Sequence, residues 1–405
     1  MKRTTVIIGG GAAGVFCAAN LARLDPERQV MILEKSNRCL SKVKVSGGGR
    51  CNVTHACFEP KQLVQFYPRG HKELLGPFHT FQPGDMFDWL EQRGVNLKIE
   101  DDGRVFPTTD RSQTIIDAFE SELNRYGVEV LLQCGLQSIQ RDGEQWVLVT
   151  SDDRSFRADE VVWATGSSDR MWNMIAALGH TMVDPVPSLF TFNVIDEQLR
   201  ALSGISAQNT TVKIEGTRFE SDGPLLLTHW GMSGPGILKL SAWAARELHA
   251  LQYDFMIRVC WDNRFSRDTW SENMREWRTE HARSRVRSYT PALIPQRLWL
   301  YLMDGLQVGD VLWADVSNRL LDRMIDALVA SSFHVQGKST FKDEFVTAGG
   351  VKLSEVDFRT MRSKLLPNMY FCGEVLDIDA VTGGFNFQAA WTTAMIAATA
   401  IDSIR

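Results

Sequence analysis

Three glycines near the start of the chain have the spacing that binds a dinucleotide. Residues 9–14 read GGGAAG, which fits the pattern G-x-G-x-x-G. The first glycine of this pattern permits a tight turn, the second admits a pyrophosphate, and the third lets a helix pack on a strand. A glycine-rich turn in another kind of α/β protein is the alternative. The contacts predicted in this stretch are Gly9, Gly11, Ala12, Ala13 and Gly14.

An acidic residue follows at the expected distance. Glu34 ends the apolar run 30–33, about 20 residues beyond the last glycine, where a carboxylate accepts the ribose hydroxyls of a dinucleotide. Because this context is correct, the glycine pattern favours dinucleotide binding over a generic turn. Lys35 and Lys42, which follow in the same stretch, are included among the cofactor contacts.

A second glycine-rich loop lies at 46–52, where the chain reads SGGGRCN. Three consecutive glycines have no side chains to pack, so another group must approach the backbone there. The diphosphate and flavin ring of a long cofactor suit this loop better than a nicotinamide nucleotide, although a mobile surface loop is an alternative. The predicted contacts are Ser46, Gly47, Gly48, Gly49, Arg50, Cys51 and Asn52.

Two later segments repeat the arrangement of an apolar strand that ends in small residues. The run 161–168 reads VVWATGSS, and residues 368–401 form an apolar strand, a glycine loop and a long helix. The start of that helix would offer amides and positive potential to the electron-rich edge of a reduced flavin. The predicted contacts are Ala164, Thr165, Gly166, Gly373, Glu374, Gly383, Gly384, Phe385 and Asn386.

Two residues are candidates for the chemistry itself. His229, in the segment THWGMSGP, could donate a proton because imidazole titrates near neutral pH, although a histidine at a strand end is more often structural. Asn52 is the candidate for tuning the electronic properties of the flavin.

Residues 51–57, CNVTHAC, lack the fourth spaced ligand of a metal site, so no metal is predicted. A thiol relay is disfavoured because Cys51 and Cys57 do not fit C-x4-C.

The elements that position these residues follow from periodicity and from turn signals. The pattern predicts a strand at 4–9, helices at 12–24, 85–93 and 170–179, and a helix that begins at an Asp110–Gln113 capping box and reaches about Tyr126. Strands are predicted at 128–133 and 253–261, with a meander over 136–150 and 156–165. Residues 183–193 are predicted as a proline-broken exit, and 345–356 as strand, glycine turn and strand.

These elements predict an α/β protein with an FAD-binding Rossmann domain, formed by 1–190 and 346–405. The inserted domain is predicted at 191–345, with a β-unit at about 191–262 and 331–345 and a helical subdomain at about 263–330. Within that subdomain Arg278, Arg283, Arg285 and Arg287 form a basic patch, which we interpret as a solvated helix face, with RNA binding as the alternative.

Composition excludes several classes of protein. A hydrophobic content of 44% and a charged content of 23% are ordinary for a globular protein, and a net charge of −5 gives no general attraction to nucleic acid or to anionic membranes. No stretch approaches the roughly 20 apolar residues of a membrane span, and residues 1–9 do not resemble a signal peptide. We therefore expect a cytoplasmic protein with free thiols, a small-molecule substrate of unknown identity, no nucleic-acid or membrane partner, and an oligomeric state that the sequence leaves open.

The motifs together resemble one family. SGGGRCN, GRVFP, THWGMSGP, VTAGGVKLSEV with TMRSK, and GEVLDIDAVTGGFNFQAAW are similar to the HI0933-like, or BaiN-like, NAD(P)/FAD-dependent flavoproteins. The resemblance covers nearly the whole chain and implies a glutathione-reductase-type FAD domain with an inserted domain. It also implies FAD held non-covalently by Gly9, Gly11, Gly14, Glu34, the 46–52 loop, Glu374 and the 384–386 loop. Some relatives resemble bile-acid double-bond reductases. The chain departs from the family at Ser167 and Ser168, where a glycine and a nearby proline are usual, so the substrate does not carry over.

The leading hypothesis is an FAD-dependent oxidoreductase, a reductase that passes hydride from NAD(P)H through flavin to an organic substrate. No second G-x-G-x-x-G exists, so NAD(P)H would bind only transiently. The alternatives are an RNA-associated or RNA-modifying flavoprotein and a non-enzymatic flavin redox sensor.

Overall fold

The computed structural model describes residues 2–291, 294–339 and 346–403. The chain divides into two compact units, one formed by 1–186 with 346–405 and the other by 187–345. The sequence predicted these boundaries at 190/191 and 345/346. Among the helices of the described residues, none is long and apolar enough to cross a bilayer.

The strands are short, and most have three to seven residues. In chain order they are β1 (Thr4–Ile8), β2 (Gln29–Leu33), β3 (Thr54–His55), β4 (Leu97–Ile99), β5 (Arg104–Pro107), β6 (Glu129–Leu131), β7 (Leu136–Asp142), β8 (Gln145–Thr150), β9 (Ser155–Ala158), β10 (Glu160–Trp163), β11 (Met182–Ser188), β12 (Thr191–Val194), β13 (Ser206–Ile214), β14 (Glu220–Thr228), β15 (Gly231–Ser233), β16 (Asp254–Cys260), β17 (Ser331–Ser339), β18 (Val346–Val351), β19 (Val356–Asp357), β20 (Arg362–Ser363) and β21 (Met369–Phe371).

The helices range from single turns to a long C-terminal helix. They are α1 (Ala12–Leu24), α2 (Ser41–Gly49), α3 (Pro60–Leu63), α4 (His71–Thr80), α5 (Pro83–Glu91), α6 (Ser112–Arg125), α7 (Asp169–Ala177), α8 (Glu197–Arg200), α9 (Pro235–Trp243), α10 (Ala245–Ala250), α11 (Arg267–Glu280), α12 (Gln296–Gly305), α13 (Asn318–Val329) and α14 (Phe385–Asp402). The last residues of α2 are not regular helix, because Ser46, Gly47 and Gly48 have non-helical dihedral angles.

A seven-stranded sheet forms the centre of the first unit. Its order is β19-β20-β21-β10-β1-β2-β6, and the five strands from β21 to β6 are parallel. Strand β1 is apolar and buried because it lies inside the sheet with a helix packed on it, the usual environment of parallel strands. This arrangement confirms the predicted Rossmann-type α/β fold.

An aromatic cluster joins α1 to the helices around it. The ring of Phe16 lies 5.0 Å from Trp89 of α5 and 5.3 Å from Trp391 of α14, and Phe119 of α6 completes the cluster at 6.0 Å from Phe16. These rings are almost fully buried, so they supply much of the apolar area that holds α14 against α1.

The second unit is a closed barrel with helices that share its core. The barrel order is β12-β15-β14-β13-β16-β17. One apolar core runs from the barrel into α11, α12 and α13, and includes the buried side chains Trp261, Trp270, Trp299 and Trp313. The many tryptophans of this region are therefore core residues.

Three local predictions were wrong. Asp110 does not cap α6, because Arg111 is the N-cap residue and the carboxylate of Asp110 forms ion pairs with Lys98 and Arg50. The predicted exit at 183–193 contains β11 and the start of β12. Gly349 and Gly350 lie inside β18 and form no turn. The predicted meander is confirmed for β7, β8 and β9, whereas β10 belongs to the parallel sheet.

A buried ion pair fastens the sheet to the last helix. Arg28 Nη1 lies 2.6 Å from Glu160 Oε2, and Nη2 of the same guanidinium donates to the carbonyl of Ile401 in α14. Burial raises the pKa of Glu160, and the charge of Arg28 opposes this effect.

Arg28→Ala should lower the free energy of unfolding by about 3 kcal/mol, because it leaves the buried carboxylate of Glu160 with only the partly exposed Arg3 as an ionic partner. Chemical denaturation measures the loss. The control is Arg157→Ala, which breaks the exposed pair with Asp142 and should cost less than about 1 kcal/mol. Equal losses in the two variants would contradict the structural role of the buried pair.

Candidate functional site

Predicted site residues follow the carboxyl ends of four neighbouring parallel strands. Gly9 follows β1, Glu34 follows β2, Ala164 follows β10, and Gly373 lies two residues after β21. Because these strands are parallel and adjacent, the residues meet at one edge of the sheet, which is where open α/β sheets bind their ligands.

Close packing at this edge requires glycine at two positions. Gly9 has φ +108°, and a Cβ on Gly14 would lie 2.0 Å from the carbonyl oxygen of Gly9 and 3.2 Å from the Cβ of Ala164. The backbones of β1, β10 and α1 therefore approach too closely for any side chain at position 14. This is the packing role that the sequence pattern predicts for its third glycine.

Gly11 has a different environment from the other two glycines. It is the N-cap residue of α1, with an ordinary φ of −79°, and a Cβ built there would meet no atom within 4 Å. The first turn of α1 contains no acidic residue, and no side chain caps it. Unpaired amides and the positive end of the helix therefore face open space, which is the environment that a pyrophosphate needs.

The two ends of the chain meet at this site. A Cβ on Gly373 would lie 2.7 Å from the Cβ of Ala13, so the loop after β21 touches the first turn of α1. Glu374 accepts a 2.7 Å hydrogen bond from Lys42 Nζ, and its Oε2 lies 3.6 Å from the Cβ position of Gly166. Residues predicted from four separate segments are thus brought together.

Glu34 is held in a fixed orientation. Its Oε2 accepts from the amide of Gly10 and its Oε1 from the amide of Ser36, both at 2.7 Å. Each oxygen keeps a further lone pair for a ribose hydroxyl. Lys35 is exposed, and its Cβ lies 3.2 Å from the Cβ position of Gly135.

The 46–52 loop has the left-handed backbone that its glycines permit. Positive φ angles occur at Gly47, Gly48, Gly49 and also at Cys51, and Cβ atoms on Gly48 and Gly49 would meet nothing within 4 Å. The open backbone fits the approach of a ligand. The Cys51 thiol is buried, which raises its pKa to about 12, so it is not a reactive thiolate.

Two predicted contacts in this loop already have protein partners. Arg50 lies over the Phe106 ring at 3.9 Å and pairs with Glu100 at 2.6 Å, which raises the pKa of its guanidinium. Asn52 Oδ1 accepts from the amide of Val105 at 3.3 Å. Both side chains therefore brace the loop, and any contact they make with a cofactor stays a prediction.

The N-terminus of α14 is held in place by contacts with Thr54 and Tyr67. Gly384 has φ +91°, and a Cβ there would lie 2.4 Å from the carbonyl oxygen of Thr54. The Asn386 side chain accepts from the Ala380 amide and donates to its carbonyl, and Tyr67 Oη donates to the Phe385 carbonyl at 2.6 Å. These hydrogen bonds fix the shape of the loop, which Asn386 closes by bonding both backbone groups of Ala380.

One orphaned polar atom supports the fit of FAD. Thr165 Oγ1 is buried and has no hydrogen-bond partner in the described protein, although it lies between Ala164 and Gly166 at the same sheet edge. A buried hydroxyl usually finds a partner. The open glycine backbones, the helix start and this hydroxyl together fit a dinucleotide such as FAD.

The remaining sequence predictions concern His229 and the absence of a metal site. His229 is exposed in the turn between β14 and β15 of the second unit, whereas the cofactor residues belong to the first unit. Its catalytic role stays a prediction. Within the described residues, no group of three or more His, Cys, Asp or Glu side chains could hold a metal ion.

Sequence reasoning missed the residues that hold the 376–386 loop. The ring of Phe385 stacks on His55 at 4.4 Å and on Phe66 at 4.2 Å, and Arg69 forms a bidentate ion pair with the buried Asp379. These contacts span more than 300 positions of sequence, and no local pattern indicates them. His55 was considered only as a metal ligand.

Comparison with known proteins gives one family and several distant relatives. The HI0933-like protein Rossmann domain matches residues 3–400. A ribosomal RNA dihydrouridine synthase from Haemophilus influenzae is 27% identical over 98% of both chains, and a 3-dehydro-bile acid delta(4,6)-reductase from Clostridium scindens is 24% identical over 96% of this chain and 97% of its own. The 3-ketosteroid-delta4-(5alpha)-dehydrogenase of Rhodococcus jostii RHA1, solved with 4-androstene-3,17-dione, covers 98% of this chain and 97% of its own with a TM-score of 0.51 and 13% identity, a likeness of fold.

Gly11→Ala should leave the apoprotein folded with its melting temperature nearly unchanged, and should weaken FAD binding about tenfold or more, because the methyl group enters the space for the pyrophosphate. Gly14→Ala should instead destabilise the apoprotein by about 2–3 kcal/mol through overpacking. Thermal melting and FAD titration separate the two effects. Unchanged FAD affinity in Gly11→Ala would place the cofactor elsewhere.

Proposed function

Since the chain belongs to the HI0933-like family of FAD-dependent oxidoreductases, we propose that it is a reductase of carbon–carbon double bonds conjugated to a carbonyl group, with NAD(P)H as electron donor. The observation that carries the proposal is the cradle at the carboxyl ends of β1, β2, β10 and β21, where Gly11 is open and Thr165 Oγ1 lacks a partner. This cradle suits the pyrophosphate and ribose of a dinucleotide.

Bound FAD would supply two-electron chemistry, in which a hydride is accepted from the donor and given to the substrate. The chain's own residues would bind and orient the cofactor. The start of α1 would hold the pyrophosphate, Glu34 the ribose, and Glu374 the polyol hydroxyls, with Lys42 fixing the Glu374 carboxylate. The reduced substrate also needs one proton, for which His229 is our candidate.

The substrate class rests on what the relatives share. The names of the two curated relatives describe a uridine that becomes dihydrouridine and a bile acid whose ring double bonds are reduced. Both reactions add a hydride and a proton across a double bond conjugated to a carbonyl group. The same reaction on an activated double bond is therefore the activity proposed for this chain.

RNA is the second candidate substrate, because the dihydrouridine synthase matches almost the whole of both chains. The basic patch of Arg278, Arg283, Arg285 and Arg287 gives little support to RNA binding. Arg285 pairs with Asp310, and Arg287 pairs with Asp304 and Asp310, so two of the four arginines are already compensated. RNA binding through phosphates would depend strongly on salt concentration.

The purified protein should be yellow, release FAD on denaturation, and lose its flavin absorption when NADH or NADPH is added without oxygen. Reoxidation should then be fastest with an acceptor that has a conjugated double bond. The acceptors to compare are 4-androstene-3,17-dione, ribosomal RNA lacking dihydrouridine, and the saturated steroid as control. A colourless protein that cannot be reconstituted, or a flavin that neither nicotinamide reduces, would contradict the proposal.

His229→Gln should lower kcat for double-bond reduction by about 10²- to 10⁴-fold, because the amide cannot donate a proton as imidazole does. The rate of flavin reduction by NAD(P)H should not change. Stopped-flow measurement of the two half-reactions checks this expectation. The control is His249→Gln, which changes another exposed histidine of the same unit. Equal turnover of the two variants would remove His229 from the mechanism.

A further inference from the structure

An open groove of about 650 Å³ lies beside the loop that begins α14. It is lined by residues of the segment 55–66, among them His55, Ala56, Phe58 and Phe66. The volume suits a ligand the size of a steroid or a nucleoside. His55 also touches the loop itself, because its Cδ2 lies 3.4 Å from the Cβ position of Gly383 and its ring stacks on Phe385.

Two aromatic rings, tilted by 33° to each other, form one wall of this groove. His55 and Phe66 both line it, and their planes are within 21° and 13° of that of Phe385, which is buried behind them. Burial lowers the pKa of His55 below its ordinary value, so its ring is neutral at pH 7. A planar ring of a ligand can therefore extend the stack without displacing water from a charge.

The charges around the groove oppose a polyanion. None of its lining residues, all within the described part of the chain, is lysine or arginine, and Glu59 contributes a carboxylate. The turn that packs on His55 through Gly103 carries Asp101, whereas its Glu100 and Asp102 are already paired with Arg104. A base within RNA would bring phosphates towards Glu59 and Asp101, whereas an uncharged molecule would not be repelled.

We propose that this groove is the acceptor site and that its ligand is an uncharged, largely apolar molecule with a planar ring that carries a conjugated carbonyl. The inference rests on the proposed function, and it selects the enone class over RNA. The ring stacks along His55 and Phe66, Phe58 covers its apolar part, and the amide of Gln62 donates to its carbonyl oxygen.

The test is calorimetric titration of the oxidised, FAD-loaded protein with 4-androstene-3,17-dione and, separately, with an oligouridylate. Phe66→Ala should raise the Kd for the steroid about five- to tenfold, and Phe58→Ala, at an exposed position, about threefold. The control is Phe156→Ala, which removes another half-buried aromatic ring of the same unit, on β9, and should leave the Kd unchanged. The flavin spectrum of each variant shows whether the cofactor loop is intact.

Three results would overturn the inference. They are unchanged steroid binding in both groove variants, no steroid binding by the wild type, and groove variants that lose affinity for the oligouridylate instead of for the steroid. Binding is measured without a donor, so it is independent of turnover. If the wild type binds the steroid as expected but never reduces it, the proposed function fails and the groove stands. If the wild type reduces the steroid and Phe66→Ala and Phe58→Ala keep the same KM, the groove fails and the function stands.

Discussion

The close approach of α1 to β1 and β10 is the constraint on which the site depends. At Gly14 the helix lies so near the carbonyl of Gly9 and the side chain of Ala164 that no Cβ fits. This contact fixes the direction in which α1 starts, and hence where its free amides point. The aromatic cluster around Phe16 then holds α14 against the same helix, so the position of the N-terminus of α14 depends on the position of α1.

The cradle is assembled from segments that are far apart in sequence and that interact through short polar contacts. Lys42 with Glu374, Thr54 with Gln388, and Arg69 with Asp379 each join the N-terminal part of the chain to its last fifth. Every such contact lies within the first unit. Buried apolar packing and the Arg28–Glu160 pair therefore stabilise the first unit, and these other polar pairs orient the loops that carry the predicted cofactor contacts.

Sequence alone predicted the features that obey local steric rules. Backbone conformation and hydrophobic pattern predict the turn at Gly9, the close packing at Gly14, the strand that precedes Glu34, and the helix that begins after Gly384. The structure contains each of these features. Predictions were wrong where ion pairs with residues distant in sequence determine the local conformation. Asp110 resembled a helix cap, but ion pairs with Lys98 and Arg50 hold it elsewhere. His55 gave no local sign of its stacking partner because Phe385 is 330 positions away.

The position of β21 in the sheet has a consequence for how the protein is made. Strand β10 is flanked by β1, which precedes it in the chain, and by β21, which is translated only after the whole second unit. A nascent chain on the ribosome can close the barrel, whose strands are contiguous in synthesis, while the sheet of the first unit still has an unpaired edge at β10. That edge is a template for wrong strand pairing until the final segment emerges, so the chain is most exposed to mispairing during the translation of the barrel and its helices.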